Sequence, residues 1–111
     1  MTPKQSILIR STFAQLYPLD SSQLGQDSYL KAIQSGGQGL VLKPQREGGG
    51  NNTYGSEIPN VLKTLSLEER SGYILMDLIQ PPERIGVLVR NGELWHGNVV
   101  SELGVYGIWI R

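Results

Sequence analysis

The stretch "LVLKPQREGGGNNTYG", Leu40 to Gly55, limits what this chain can fold into more than any other. The apolar run "GLVLKP" is bounded by glycine and proline, which is the form of a buried strand. Pro44 has no N–H to give a central ladder, so the strand ends there. Each glycine beyond it costs roughly 0.5–1 kcal/mol relative to alanine in backbone freedom lost on folding. Three in a row, Gly48, Gly49 and Gly50, therefore mark a turn, a close approach of backbone to a ligand, or disorder. Regular structure resumes in "SEIPNVLKTLS", where Ile58, Val61, Leu62 and Leu65 take the i, i+3, i+4, i+7 positions of an amphipathic helix. Ser56 is its expected N-cap, and Pro59 is tolerated in its first turn.

The other elements follow from the same rules. Ile9, Phe13, Leu16 and Tyr17 in "ILIRSTFAQLYP" have helical spacing, which predicts a helix stopped at Tyr17 by Pro18. "DSYLKAIQSGG" predicts a second helix with Leu30 and Ile33 on one face and a left-handed cap at Gly36 or Gly37. "SLEE", Ser66 to Glu69, is a capping-box pattern that opens a further short helix. "GYILMDLI" reads as a strand. Asn91 and Gly92 separate two apolar runs and accept the positive φ of a type I′ turn, so "IGVLVRNGELWHGNVV" reads as a hairpin with Arg90 facing Glu93, Val89 facing Leu94 and Leu88 facing Trp95. "LGVYGIWIR" predicts a last strand, Trp95 and Trp109 read as core anchors, and His96 as an edge residue. Strands interleaved with two or three helices give an α+β class, expected as one unit over residues 1–111.

A chain of 111 residues can bury roughly 60–70% of its unfolded surface around one modest core. With 39% apolar and 18% charged residues, and ten basic side chains against ten acidic, the composition points neither to disorder nor to nucleic acid or a membrane surface as partner. No apolar run approaches the roughly 20 residues of a membrane span, and "MTPKQSILIRSTF" lacks the pattern of a secretory signal, so a cytoplasmic location is expected. The absence of cysteine removes disulfides, thiolate nucleophiles and zinc ribbons, and one histidine cannot form a histidine metal cluster.

A strand ending in a lysine, a glycine-rich bend and then a helix can aim backbone N–H groups and a cation at a phosphate chain. Lys43 and Arg46 supply charge, although neither the G-x-x-x-x-G-K-[ST] order nor G-x-G-x-x-G is present. The spacing alone leaves two readings open, a phosphate-binding loop and a surface loop with solvated charges.

"LKPQREGGGNNTYG", Leu42 to Gly55, resembles the glycine-rich loop of eukaryotic-type glutathione synthetase, an ATP-grasp ligase family. "RSTFAQLYPLD", "YILMDLI" and "SELGVYGIWIR" resemble further segments of that family in the same order, so the likeness covers nearly the whole chain. The family's proteins are several times longer, and the resemblance implies an internal piece: a lid over residues 39–82 with its glycine-rich loop at 43–55, and a hairpin with a last strand over 85–111, part of the antiparallel ATP-binding sheet. It implies ATP and Mg2+ as cofactors in a ligase that joins γ-glutamylcysteine to glycine through an acyl phosphate, releasing ADP and phosphate, in a homodimeric parent. Lys43 would meet the ATP phosphates and Glu47 the magnesium, while Gly48, Gly49 and Gly50 close over the nucleotide with Asn51, Asn52 and Tyr54. Met76, Asp77, Leu78 and Ile79 would form the hinge beside adenine, and Glu102 would contact the nucleotide through the sugar hydroxyls. The family usually has glutamate at the position of Asp77, which leaves a backbone contact as the expectation there.

Without the resemblance, Met76 and Ile79 read as core, Lys43 and Glu102 as solvated, and Glu47 as a partner of Arg46 or the cap of a turn. Three expectations span the range: a segment of the ligase, inactive by itself; a stand-alone nucleotide-binding or regulatory module; and a structural domain.

Overall fold

The computed structural model describes residues 2–46 and 50–110. The expectations on Glu47, Gly48 and Gly49 lie outside the described residues. The described chain is α+β with antiparallel sheets and four helices, against the two or three expected, and forms two compact units, Met1–Ile79 and Gln80–Arg111.

In the first unit, β1 (Leu16–Pro18), β2 (Leu40–Pro44), β3 (Thr53–Tyr54) and β4 (Tyr73–Asp77) form one sheet in the order β1-β4-β2-β3, each neighbour antiparallel. The helices are α1 (Pro3–Arg10), α2 (Gln23–Gln34), α3 (Glu57–Thr64) and α4 (Leu67–Ser71). Strand alternation sends Leu40, Leu42 and Leu75 to one face, where they bury against Ala32 of α2 and Ile58 and Leu62 of α3, with Leu19 completing the core.

The expected first helix is corrected. The helix is α1, opened by a capping box between Thr2 and Gln5 with Pro3 in its first turn. After it, the Ser11 and Thr12 hydroxyls donate to Leu8 O and Ile9 O. Leu16–Pro18 instead forms an edge strand whose residues face Met76, Leu75 and Ile74, so pairing with β4 overrides helical spacing, and the edge tolerates Pro18. The second helix starts at Gln23, earlier than expected, because Ser22 caps it by accepting from Gly25 N–H. Gly36 (φ 62°) and Gly37 (φ 76°) both take the left-handed region after it. Helix α3 forms where expected, but Ser56 makes no side-chain cap bond. Its backbone is already helical, and a capping hydroxyl reaches the first turn from an extended backbone. Ser66 and Glu69 do form the capping box of α4.

In the second unit, β5 (Arg84–Arg90) and β6 (Glu93–Val99) form the expected hairpin, with Asn91 (φ 54°) and Gly92 (φ 82°) at the turn and the three expected pairs in register. The expected last strand is absent among the described residues 100–110, whose large apolar side chains lie exposed. A strand needs a ladder partner, and this segment has none among the described residues. Trp95 is half exposed and Trp109 is 86% exposed, so neither anchors a core here. Among the described residues, no helix is long and apolar enough to cross a membrane.

Candidate functional site

Because Leu42 turns into the core, its neighbours Val41 and Lys43 turn to the opposite face of the sheet. Register brings Met76 opposite Val41 on one side, Tyr54 opposite Val41 on the other, and Ile74 opposite Lys43. The helical residues of the core all lie on the other side, so this face is an apolar strip carrying one cation. The Lys43 Nζ rests 4.0 Å from the Met76 Sδ, half-buried, with its stem along the strip. The one ion pair among the described residues, Lys31 with Asp77, leaves Lys43 without a carboxylate partner there.

The loop returns to the sheet beside this strip. Gly50 has φ 88° with open space where a Cβ would be, so the backbone can present its N–H groups without a side chain in the way. Asn51 and Asn52 are exposed, and the Asn52 Nδ2 donates to the Tyr54 Oη at 3.4 Å. Tyr54 is half exposed.

At the end of β4 the hinge residues divide. Met76 faces the strip and Asp77 faces away, its Oδ1 accepting from the Tyr17 hydroxyl at 2.9 Å and lying 3.8 Å from the Lys31 Nζ. Lys31 in turn sits 3.7 Å over the Tyr17 ring centroid. The Asp77 N–H donates to Gln15 O and the Leu78 N–H to Gly39 O. The next N–H, that of Ile79, has no acceptor among the described residues, and its side chain is largely exposed. Glu102 is exposed in the second unit, outside any helix or strand.

The structure therefore brings Lys43, Tyr54 and Met76 onto one face, ends that face with Leu78 and Ile79, and turns the Asp77 side chain elsewhere. Sequence reasoning missed Val41 and Ile74, the floor of the strip. Alternation along "LVLK" already places Val41 with Lys43; Ile74 needs the register with β2. Among the described residues no three His, Asp or Glu side chains cluster as a metal site. The arrangement is an open face with an apolar floor, a cation at one end and a backbone donor at the other, suited to a ligand with a flat apolar part and an anionic part.

The family described as eukaryotic glutathione synthase, ATP binding domain, matches residues 1–111. The chain is 42% identical over 111 residues to glutathione synthetase of Homo sapiens, covering 98% of this chain and 23% of that protein. It is 41% identical over 103 residues to the glutathione synthetase large chain of Schizosaccharomyces pombe, covering 91% of this chain and 20% of the relative. With glutathione synthetase of Dictyostelium discoideum the identity is 39%, over 92% of this chain and 21% of that one. The chain thus spans less than a quarter of the length of these curated relatives. Matched from end to end by the family's ATP-binding domain, the chain belongs to the eukaryotic glutathione synthases.

Proposed function

We propose that the open sheet face binds ATP and that the chain works as the lid and part of the ATP-binding sheet of an ATP-grasp ligase joining γ-glutamylcysteine to glycine. The observation that carries this reading is the single face shared by Lys43, Met76 and Tyr54. The donor set fits the nucleotide: Met76 offers apolar surface to a base, backed by the buried Val41, the Ile79 N–H offers a donor to its edge, and Lys43 offers charge to phosphate. Bound ATP supplies the phosphoryl group that turns a carboxylate, a poor electrophile, into an acyl phosphate open to attack by an amine. The residues of this chain contribute position and charge. In this reading Lys43 would face the growing negative charge of the transferred group, and Gly48, Gly49 and Gly50 with Asn51, Asn52 and Tyr54 would contact the nucleotide. Glu47 holds the magnesium in this reading, and Glu102 meets the sugar hydroxyls. The chain alone does not align acid, nucleotide and amine, so it makes no glutathione by itself, and a full-length homodimer does.

The test is Lys43→Met in the full-length ligase that carries this segment. Removing one preorganised electrostatic partner of a developing charge lowers turnover roughly 10²–10³-fold. Thermal melts should stay close to those of the parent, since Lys43 lies outside the core cluster. A folded variant turning over at the parent rate would sink the reading.

A further inference from the structure

We propose that Asp77 is a positioning residue: its carboxylate, held by Tyr17 and Lys31 on the side of the sheet away from the ligand, fixes the end of β4 so that Met76 and the Ile79 N–H meet the nucleotide base. This inference rests on the nucleotide reading above. Alternation excludes direct contact, because Met76 faces the strip and its neighbour Asp77 cannot. The carboxylate joins three elements at one oxygen. Oδ1 accepts from the Tyr17 hydroxyl of β1 at 2.9 Å and faces Lys31 of α2 at 3.8 Å, while Lys31 lies over the same Tyr17 ring. Both charged side chains are about half exposed, 45% for Lys31 and 47% for Asp77, so solvent screens the ion pair and the Tyr17 bond dominates.

The backbone continues the clamp. Asp77 N–H is tied to Gln15 O at 3.0 Å and Leu78 N–H to Gly39 O at 2.8 Å. Each tie comes from a different side of β4, so the strand end is held against rotation. The first N–H past the clamp, that of Ile79, has no partner among the described residues. Its direction depends on the residue before it, and through that residue on Asp77. A carboxylate on the far face can in this way set nucleotide affinity without touching the nucleotide. The glutamate that the resemblance gives the family at this position keeps the same charge and acceptor.

The test compares Tyr17→Phe, Asp77→Asn, their double variant and Asp77→Glu in the full-length ligase, with steady-state KM for ATP, KM for the amino-acid substrate, kcat and thermal melts. Tyr17→Phe and Asp77→Asn should each raise the KM for ATP roughly three- to tenfold, the scale of one ordinary intramolecular hydrogen bond in a half-exposed setting, without a parallel rise in the KM for the amino acid. The double variant should do no more than either alone, because both break one link. Asp77→Glu should retain more ATP affinity than Asp77→Asn. A rise for Asp77→Asn with none for Tyr17→Phe would mean direct contact and overturn the proposal. Equal rises in both KM values with a lowered Tm would reduce the trio to general stability and overturn it too. Lys43→Met separates the two readings: if it cripples turnover while the Tyr17 and Asp77 variants keep the parent KM for ATP, positioning falls and the nucleotide reading stands. If Lys43→Met is silent, both fall.

Discussion

Gly37 and Gly36 show how neighbouring glycines can carry different duties. Both have left-handed backbone, φ 76° and 62°, which costs a side chain about 1–2 kcal/mol. A Cβ on Gly36 would meet open space, whereas one on Gly37 would run into the Gly55 carbonyl oxygen and lie 3.1 Å from the Ile58 Cβ. Gly37→Ala should therefore cost more than Gly36→Ala by a further ~1–3 kcal/mol, the scale of overpacking, read as denaturant midpoints at constant m. Equal losses would show that the chain around Gly55 yields. A second residue-scale effect is pH dependence. The Ser66 backbone N–H, and then its hydroxyl, hold the Glu69 carboxyl below its usual range; at Asp20 the Ser22 hydroxyl leads and its N–H follows. A depressed folded pKa stabilises the fold above the ordinary carboxylate range, and that contribution disappears as pH falls through the folded value. Melting temperature should hold from neutral pH to about 4.5 and then fall, with Glu69→Gln flattening part of the acid slope. A variant with the parent's acid slope would exclude the capping box as a source.

At the scale of elements, what was legible in the sequence was what is decided locally. Asn91 and Gly92 fix their own turn, so the hairpin register followed from two residues; Gly39 and Pro44 bracket β2; Ser66 and Glu69 form a capping box within four positions. Leu16 and Tyr17 read as helix from sequence because their partner β4 lies 60 residues away and nothing within a helical window announces it. The terminal run "LGVYGIWIR" failed for the opposite reason: strand-like composition has no effect without a ladder. The candidate site divides along the same line. Lys43, Met76 and Tyr54 were named from the loop and hinge motifs, but their shared face is a product of register between three strands. The trio of Tyr17, Lys31 and Asp77 was invisible because its members come from β1, α2 and β4, and meet only once helix and sheet have packed.

At the scale of the whole molecule, the two units differ in how they are held. The first has a sheet with helices buried against it; the second is a hairpin whose Ile85, Val89 and Leu94 are 83%, 70% and 68% exposed. A lone two-stranded hairpin is marginal in water. Hydrogen exchange on this chain should therefore find slow amides in β2 and β4 and fast ones in β5 and β6. Comparable protection in both would mean that the hairpin is covered in solution. The sheet order of the first unit also bears on how the chain is made. One of its two inner strands, β4, pairs with both β1 and β2, yet is the last of the four to be synthesised. Until Tyr73–Asp77 has emerged from the ribosome, β1 has no partner and β2 can pair only through Val41 and Leu42 with the two residues of β3. The nascent chain must therefore carry the β4-facing edge of "LVL" unpaired for some thirty residues of translation, and a stop codon anywhere before Tyr73 would release a product with no way to close its sheet, a substrate for chaperones and proteases.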